Sequence, residues 1–476
     1  MMIVTSETFT ARQWLALVSL YMGAFLPALD YFIVNLALPA IQTGLHAKPA
    51  QIQLTVSAYS LAYAVTLITG GRLGDIYGRR LVFMIGMGAF VVASAMCGLA
   101  INGNMLVGGR FLQGASASMI TPQVLASIRT VFPIHIQARL MGIYGFVYGL
   151  SLIVGQIGGG ALIALHPFGL DWRVVFLVNI PIGLMALTGS WRYLAESRSD
   201  AGRHIDIQGS FFLTLGLVLL IYPLTVGREL GWPAWSLLCM CLSIPTFAVF
   251  VQTENRMLRS GRDPLVDMSV IKRPGIATGL LLAFLFYSIA AFFLTYGIFF
   301  QEGHGWTPLE SGLLLAPYGA GYIFAPLATP WLGRRIGNHS LTLGFGLLTV
   351  GYAICIPEII HIANQWPLYA ALFIAGTGQG ITLPTLQHRI LENVESRNTG
   401  MTAGITVAML HIGVAFASAF IAGRFFSALD HADSPEGYNH AMQICLEWML
   451  VPLTAGFMVS ALGTWRESKL ASALAD

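Results

Sequence analysis

The sequence predicts an all-α membrane protein, and three observations predict it. Charge is scarce, apolar runs of membrane-crossing length recur along the chain, and basic residues alternate in step with those runs. Of 476 residues, 56% are hydrophobic and only 10% are charged. A soluble domain carries about 25% charged residues. No soluble fold of this size can cover so much apolar surface, so its surroundings are lipid. The 52 glycines allow the close helix approach that packing in a bilayer favours.

A helix needs roughly 20 residues to cross about 30 Å of hydrocarbon. Runs of that kind lie near 14–37, 51–73, 80–101, 105–129, 139–164 and 173–194. Two more follow at 208–226 and 234–252. The last six are near 275–300, 309–332, 340–360, 366–388, 400–427 and 442–464. The expected count is therefore fourteen. With the N-terminus placed in the cytoplasm, twenty of the 25 lysines and arginines fall on the cytoplasmic side. Lys48, Arg173, Arg228 and Arg424 fall outside, and Arg110 falls within a span. One span more or fewer would scramble that alternation, so the positive-inside rule supports an even count and two cytoplasmic termini. Arg12 is the one early positive charge, with no small-residue cleavage site after it, so the first run is expected to remain a helix.

The two ends of the chain echo each other. Leu73-Gly74-Asp75-Ile76-Tyr77-Gly78-Arg79-Arg80 follows the second run, and Leu332-Gly333-Arg334-Arg335-Ile336-Gly337 follows the tenth. Gln113-Gly114 in the fourth run is matched by Gln379-Gly380 in the twelfth. Two parallel six-helix repeats would place a substrate between halves near the midplane. The expected units are residues 12–195, a pair of linker helices within 205–253, and residues 275–466.

The stretch from Gly70 to Arg80, GGRLGDIYGRR, resembles the signature of the major facilitator superfamily between its second and third helices. Leu29-Asp30-Tyr31-Phe32-Ile33-Val34-Asn35-Leu36-Ala37-Leu38-Pro39 and Arg110-Phe111-Leu112-Gln113-Gly114 resemble first- and fourth-helix motifs of its fourteen-span drug:proton antiporter family. Trp172-Arg173 with Phe176, Asn179, Pro181 and Gly183 is similar to the start of that family's sixth helix. The run from Gln301 to Pro317 is similar as well. The resemblance covers nearly the whole chain. It implies the major-facilitator fold, two six-helix bundles plus two extra transmembrane helices, and a multi-pass protein of the bacterial inner membrane type. One departure stands out. The antiporter signature of the fifth helix has a Gly-Pro pair followed by paired glycines. Here Gly155 is followed by Gln156, with Gly159 and Gly160 kept. Losing the proline predicts loss of a kink.

Asp30 lies deep in an apolar run, where a carboxylate is costly unless paired or facing water. It reads either as a proton carrier or as a fixed ion pair. Arg110 is its expected partner. At 1.5 Å per residue the two lie roughly 6 Å and 9 Å below the outer face. The Gln-Gly alignment puts Gly376 at the position of Arg110, so the charge is not a packing requirement of the fold. His411, near mid-membrane, reads as a second proton site or as a hydrogen-bonded helix contact. Gly74, Asp75, Gly78, Arg79 and Arg80, with Arg139, read as a cytoplasmic gate. Gln113, Gln156 and Gln379 read as helix bridges or cavity lining. Phe32, Tyr144, Tyr148, Tyr287, Phe293 and Tyr318 are candidates for an apolar substrate wall, with Tyr144 and Tyr148 foremost.

These readings lead to a proton-coupled exporter of hydrophobic or amphipathic small molecules working by alternating access. Few deep carboxylates favour a neutral or monocationic substrate. A proton-coupled importer on the same fold is the alternative, since fold does not set direction. No enzyme is expected: HExxH, GxxxxGK[ST] and GxSxG are missing from the sequence. The five cysteines make no metal-ligand spacing, so no cofactor or metal is expected; the resemblance to drug:proton antiporters implies the proton gradient as the energy source. A net charge of +3 points to no nucleic acid partner. Nor does the chain hold a soluble signalling domain.

Overall fold

The structure is a computed structural model. It describes residues 10–165, 167–198, 206–227, 230–261, 264–337, 339–360, 365–392, 394, 399–429 and 434–475. Every regular element among them is helical.

The N-terminal half begins with α1 (Ala11–Leu45), α2 (Pro49–Tyr77), α3 (Arg79–Gly98) and α4 (Gly103–Val131). It closes with α5 (Ile134–Ile153), α6 (Gly159–Leu165), α7 (Val174–Leu177) and α8 (Asn179–Tyr193). Sequence sets these boundaries. Thr10 and Gln13 form a reciprocal capping box that opens α1, and His46 ends it in the left-handed region at φ 48°. Pro49 occupies the first turn of α2, where its missing N–H costs nothing. Asn102 caps α4 by accepting from the Met105 N–H at 2.9 Å.

Two helices follow, α9 (Ile207–Val226) and α10 (Ala234–Arg259). The C-terminal half holds α11 (Met268–Ile271), α12 (Pro274–Phe286), α13 (Ala290–Ile298), α14 (Pro308–Leu314) and α15 (Ala316–Ile336). It ends with α16 (His339–Ile360), α17 (Trp366–Leu391), α18 (Thr399–Phe416), α19 (Gly423–Leu429) and α20 (Pro435–Ala475).

Among the described residues, eleven helices are long and apolar enough to cross a membrane. Counting the bent helix α2 as one span gives twelve. Fourteen is reached only by adding α4 and α17. They are 29 and 26 residues long, but glycine, glutamine and, in α4, Arg110 dilute their hydropathy. The helices α9 and α10 pack on each other and, through α9, on α2 and α18. Leu61 and Val65 of α2 meet Leu217 and Ile221 of α9 and Ala415 of α18 in one apolar cluster. The extra pair therefore straddles the seam between the halves through α9.

The pairing of α2 with α4 and of α15 with α17 corrects the repeat register. A Cβ on Gly114 would lie 2.1 Å from the Tyr59 carbonyl oxygen, and one on Gly376 would lie 1.9 Å from that of Tyr318. Tyr59 and Tyr318 stand equally far before Leu73-Gly74 and Leu332-Gly333. Gly114 thus corresponds to Gly376, and the counterpart of Arg110 is Leu372, one turn from the position aligned by Gln-Gly. Leu372 is fully buried.

Candidate functional site

Asp30 and Arg110 meet as expected. Neither has any exposed surface, and Arg110 Nη1 donates to Asp30 Oδ2 in an ion pair. Charge in an apolar interior is tolerable only when its remaining polar atoms are also satisfied, and the neighbours do most of this. Gln113 Nε2 donates to Asp30 Oδ1 at 3.0 Å and to Ser94 Oγ at 2.9 Å. Asn179 Nδ2 donates to the same Asp30 oxygen at 2.7 Å. Arg110 also donates from Nη1 to Gln113 Oε1 and from Nε to the Thr55 carbonyl, both at 2.9 Å. Its guanidinium lies 4.4 Å from the Tyr59 ring centre and 5.9 Å from that of Phe176. Arg110 Nη2 is left without a partner. Five helices, α1 to α4 and α8, therefore contribute to one polar knot.

Gln113 belongs to this knot rather than to a substrate cavity. Gln379 is likewise internal to its own half, accepting from the Tyr318 hydroxyl, so neither lines a cavity as the sequence reading allowed. Tyr318 is fully buried, with its hydroxyl engaged by Gln379 and Tyr352 of its own half, which removes it from the candidate substrate wall.

The other aromatics gather where the halves meet. Tyr31 lies 6.2 Å from Tyr59, and Tyr59 lies 6.2 Å from Tyr63. Tyr63 of α2 packs 4.6 Å from His411 of α18. Tyr144 and Tyr148 of α5 lie 6.1 Å apart. Next to Tyr148, a Cβ on Gly149 would lie 3.1 Å from Ile323 and 3.5 Å from Tyr322 of α15, so α5 meets the other half here. Phe32 meets Phe293 across the same boundary at 6.1 Å. His411 stands in this tyrosine group, with Nδ1 unpartnered and no bond to Asp30.

The expected antiporter-motif residues close the arginine-poor end of that boundary. Gly155 sits against Phe32 and the backbone of α1, and Gly159 against Ile33. A Cβ on Gly160 would lie 2.5 Å from the Pro308 carbonyl oxygen, and one on Gly312 would lie 2.5 Å from that of Gln156. Only glycine permits backbones so close. Gln301 Nε2 adds a bond to the Leu36 carbonyl at 3.3 Å. The missing proline does not leave a regular helix: residues Val154–Gly158 form a π turn. Such turns interrupt the ladder as a proline would. The turn aims Gln156 at the other half, where its Oε1 accepts from the buried Tyr296 hydroxyl.

The candidate gate residues are joined within one half. Asp75 pairs with Arg79 one turn on at 2.9 Å. Gly74 lies against the Gln123 side chain, and Gly78 turns the chain at φ 112°. Arg80 Nη2 donates to the Trp191 carbonyl at 2.5 Å. The side chain of Arg139 lies outside the described residues. Glu196, which no motif singled out, accepts the Arg80 and Leu81 N–H groups at 3.1 and 3.2 Å. Those are orphan donors at the start of α3.

A family profile, Major Facilitator Superfamily, matches residues 20–418. The chain belongs to that superfamily. Among curated proteins it is 34% identical over 424 residues to a probable actinorhodin transporter of Streptomyces coelicolor, covering 88% of this chain and 73% of the relative. It is 30% identical to the tetracenomycin C resistance and export protein of Streptomyces glaucescens, over 86% of this chain and 75% of that one. It is 29% identical to the multidrug resistance protein Stp of Mycobacterium tuberculosis, over 84% and 74%. The fold is similar to that of the human organic anion transporter MFSD10 (TETRAN). The TM-score is 0.65 at 13% identity, covering 95% of this chain and all of that one. The protein is thus a multi-pass membrane transporter and not an enzyme.

Proposed function

We propose that this chain exports neutral or singly charged amphipathic small molecules, with aromatic character, in exchange for protons taken up at Asp30. The division into units 12–195, 205–253 and 275–466 is part of the reading. So are a cell-membrane location of the bacterial inner membrane type, cytoplasmic termini, and a fourteen-span antiporter arrangement. The single observation that carries it is the placement of the Asp30–Arg110 pair. It is sealed inside one half, and Arg110 stacks on Tyr59, which stands next to the tyrosines gathered between the halves.

The mechanism follows from the partners. Protonation neutralises Asp30 and leaves Arg110 with the Thr55 carbonyl, Gln113 and the Tyr59 face. Leaving one member of a buried pair uncompensated costs about 3–5 kcal/mol. That is enough to redistribute two conformations whose populations differ by a few kcal/mol. The tyrosines offer hydroxyls and ring faces and no fixed anion, which suits planar hydroxylated or monocationic guests. A relative named as the tetracenomycin C resistance and export protein supports the direction.

The test is proton movement in proteoliposomes, using ethidium as the monocation and a hydroxyanthraquinone as the neutral guest. Guest-driven proton flux in the wild type that is lost in Asp30→Asn is the expected result. Equal flux in both proteins would refute Asp30 as the coupling site.

A further inference from the structure

The two helices that join the halves bring a pair of buried acids together near their ends. Asp206 caps α9, its Oδ1 accepting the Gly209 N–H at 2.8 Å. Glu254, near the end of α10, accepts the Val266 N–H through Oε2 at 2.7 Å. Asp206 is 6% exposed and Glu254 1%. The second oxygen of each, Asp206 Oδ2 and Glu254 Oε1, has no hydrogen-bond donor. Both point at one spot: a Cβ on Gly209 would lie 2.3 Å from the first and 2.1 Å from the second.

Charged groups also lie on the elements that pack around the two helices. They include Arg72 and the Asp75–Arg79 pair of α2, Arg256 of α10, and Asp267 just beyond the connecting loop. Asp75 is committed to Arg79 and Asp267 to Ser269; among the described residues, neither Asp206 nor Glu254 is ion-paired. On α18 the titratable side chain is His411, packed against Tyr63 with the rings tilted by 42°.

Two carboxylates that meet with no cation between them among the described residues cannot both be ionised, and such pairs share a proton. We infer that Asp206 and Glu254 form a proton-binding site, separate from Asp30, at the arginine-rich end of the linker helices. One proton bridges Oδ2 and Oε1 and ties α9 to α10. Through the Val266 N–H it also ties them to the segment entering the C-terminal half, where the Asp267 N–H contacts Met401 Sδ of α18 at 2.9 Å. Because α9 straddles the seam between α2 and α18, loss of the proton loosens a strap between the halves. The site gives the extra helices a role that packing alone does not explain.

The test needs no transport assay, so it stands or falls apart from the Asp30 mechanism. The full chain in lipid nanodiscs is followed by infrared spectroscopy and by thermal unfolding from about pH 5 to about pH 9. Glu254→Gln keeps a neutral donor toward Asp206, and Asp206→Asn does the same from the other side. The wild type is expected to show a protonated-carboxyl stretch near neutral pH that disappears in either variant and persists in Asp30→Asn. A shared proton held in the folded state and released on unfolding makes stability fall as pH rises. The wild-type midpoint is therefore expected to drop across that range, with a flatter profile in each variant. An unchanged carboxyl band, or a pH slope identical to that of the wild type in both variants, would overturn the site. If one variant does not fold, the other carries the comparison. If neither does, loss of the wild-type band on raising the pH supports the site, and its persistence throughout overturns it.

Discussion

The two halves pack one pair of helices in the same way and fill the neighbouring space in opposite ways. Gly114 lies on the Tyr59 carbonyl in the first half, and Gly376 lies on that of Tyr318 in the second. Beside Gly114 sits the Asp30–Arg110 pair with Gln113, Asn179 and Ser94 around it. Beside Gly376 sit Leu372 and Ala375, both fully buried, and a ladder of neutral groups in which Tyr352 donates to Tyr318 at 3.4 Å and Tyr318 to Gln379. The backbone arrangement is stable with either filling. The charge in the first half is therefore an addition to the fold, and its desolvation is tolerated because the surrounding polar groups satisfy it.

The largest expected effect comes from breaking the charged pair by one member. Asp30→Asn leaves the Arg110 guanidinium buried without a counter-charge, and about 3–5 kcal/mol of stability is expected to go. The double variant Asp30→Asn, Arg110→Leu gives the first half the apolar residue that the second half already carries. It is expected to regain most of the stability while guest-driven proton flux stays absent. Unfolding midpoints measured alongside flux separate the two properties. A double variant no more stable than the single one would show that the first half does need its charge to fold.

A smaller effect concerns the boundary between halves. Gly160→Ala places a methyl 2.5 Å from the Pro308 carbonyl oxygen, a backbone atom that cannot rotate away. Overpacking of this kind costs about 1–3 kcal/mol. Because it falls on the closed conformation, the ratio of conformers should shift by about 5- to 150-fold. Spin-label distances across α6 and α14 are expected to lengthen on average. Gly149→Ala serves as a milder contrast, since its nearest neighbour is the flexible Ile323 side chain at 3.1 Å. Equal distances in both variants and the wild type would remove the glycines from any closing role.

Sequence made much of this legible, and the missing parts have physical reasons. Asp30 and Arg110 stood out because isolated charges in apolar runs need partners, and helical rise alone placed them at similar depth. The glycines were readable as contact points but not their partners: that Gly160 meets Pro308 is a fact of tertiary packing. Gln113 and Gln379 could have faced a cavity or a neighbour, since spacing along one helix does not say which face turns inward. Asn179 appeared only within a motif resemblance, and Ser94 and Thr55 not at all. Each is an ordinary small polar residue until a folded chain brings it to the ion pair. Asp206 and Glu254 lie 48 residues apart near the ends of separate helices, where carboxylates usually reach water. Their burial could not be read from position. The lost proline at residue 156 predicted a straight helix, and the π turn shows that glycine-rich backbone supplies the irregularity by another route.

The smallest expected effect distinguishes the two remaining polar contacts, one across the halves and one within the second. Removing the Tyr296 hydroxyl (Tyr296→Phe) breaks its bond to Gln156, and Tyr318→Phe breaks the bond to Gln379. Interhelical bonds in membranes average about 0.6 kcal/mol, so the two variants should lose similar, small amounts of thermal stability. Their effect on turnover should differ. The Tyr296 bond joins the two halves, so under alternating access losing it is expected to favour opening at that end by about threefold at that energy. The Tyr318 bond lies within one half and persists in both conformations. Tyr296→Phe is therefore expected to change the rate of guest transport measurably while Tyr318→Phe leaves it near the wild-type value. Matching rates in the two variants would mean that Gln156, despite replacing the proline of the antiporter motif, takes no part in closing the boundary.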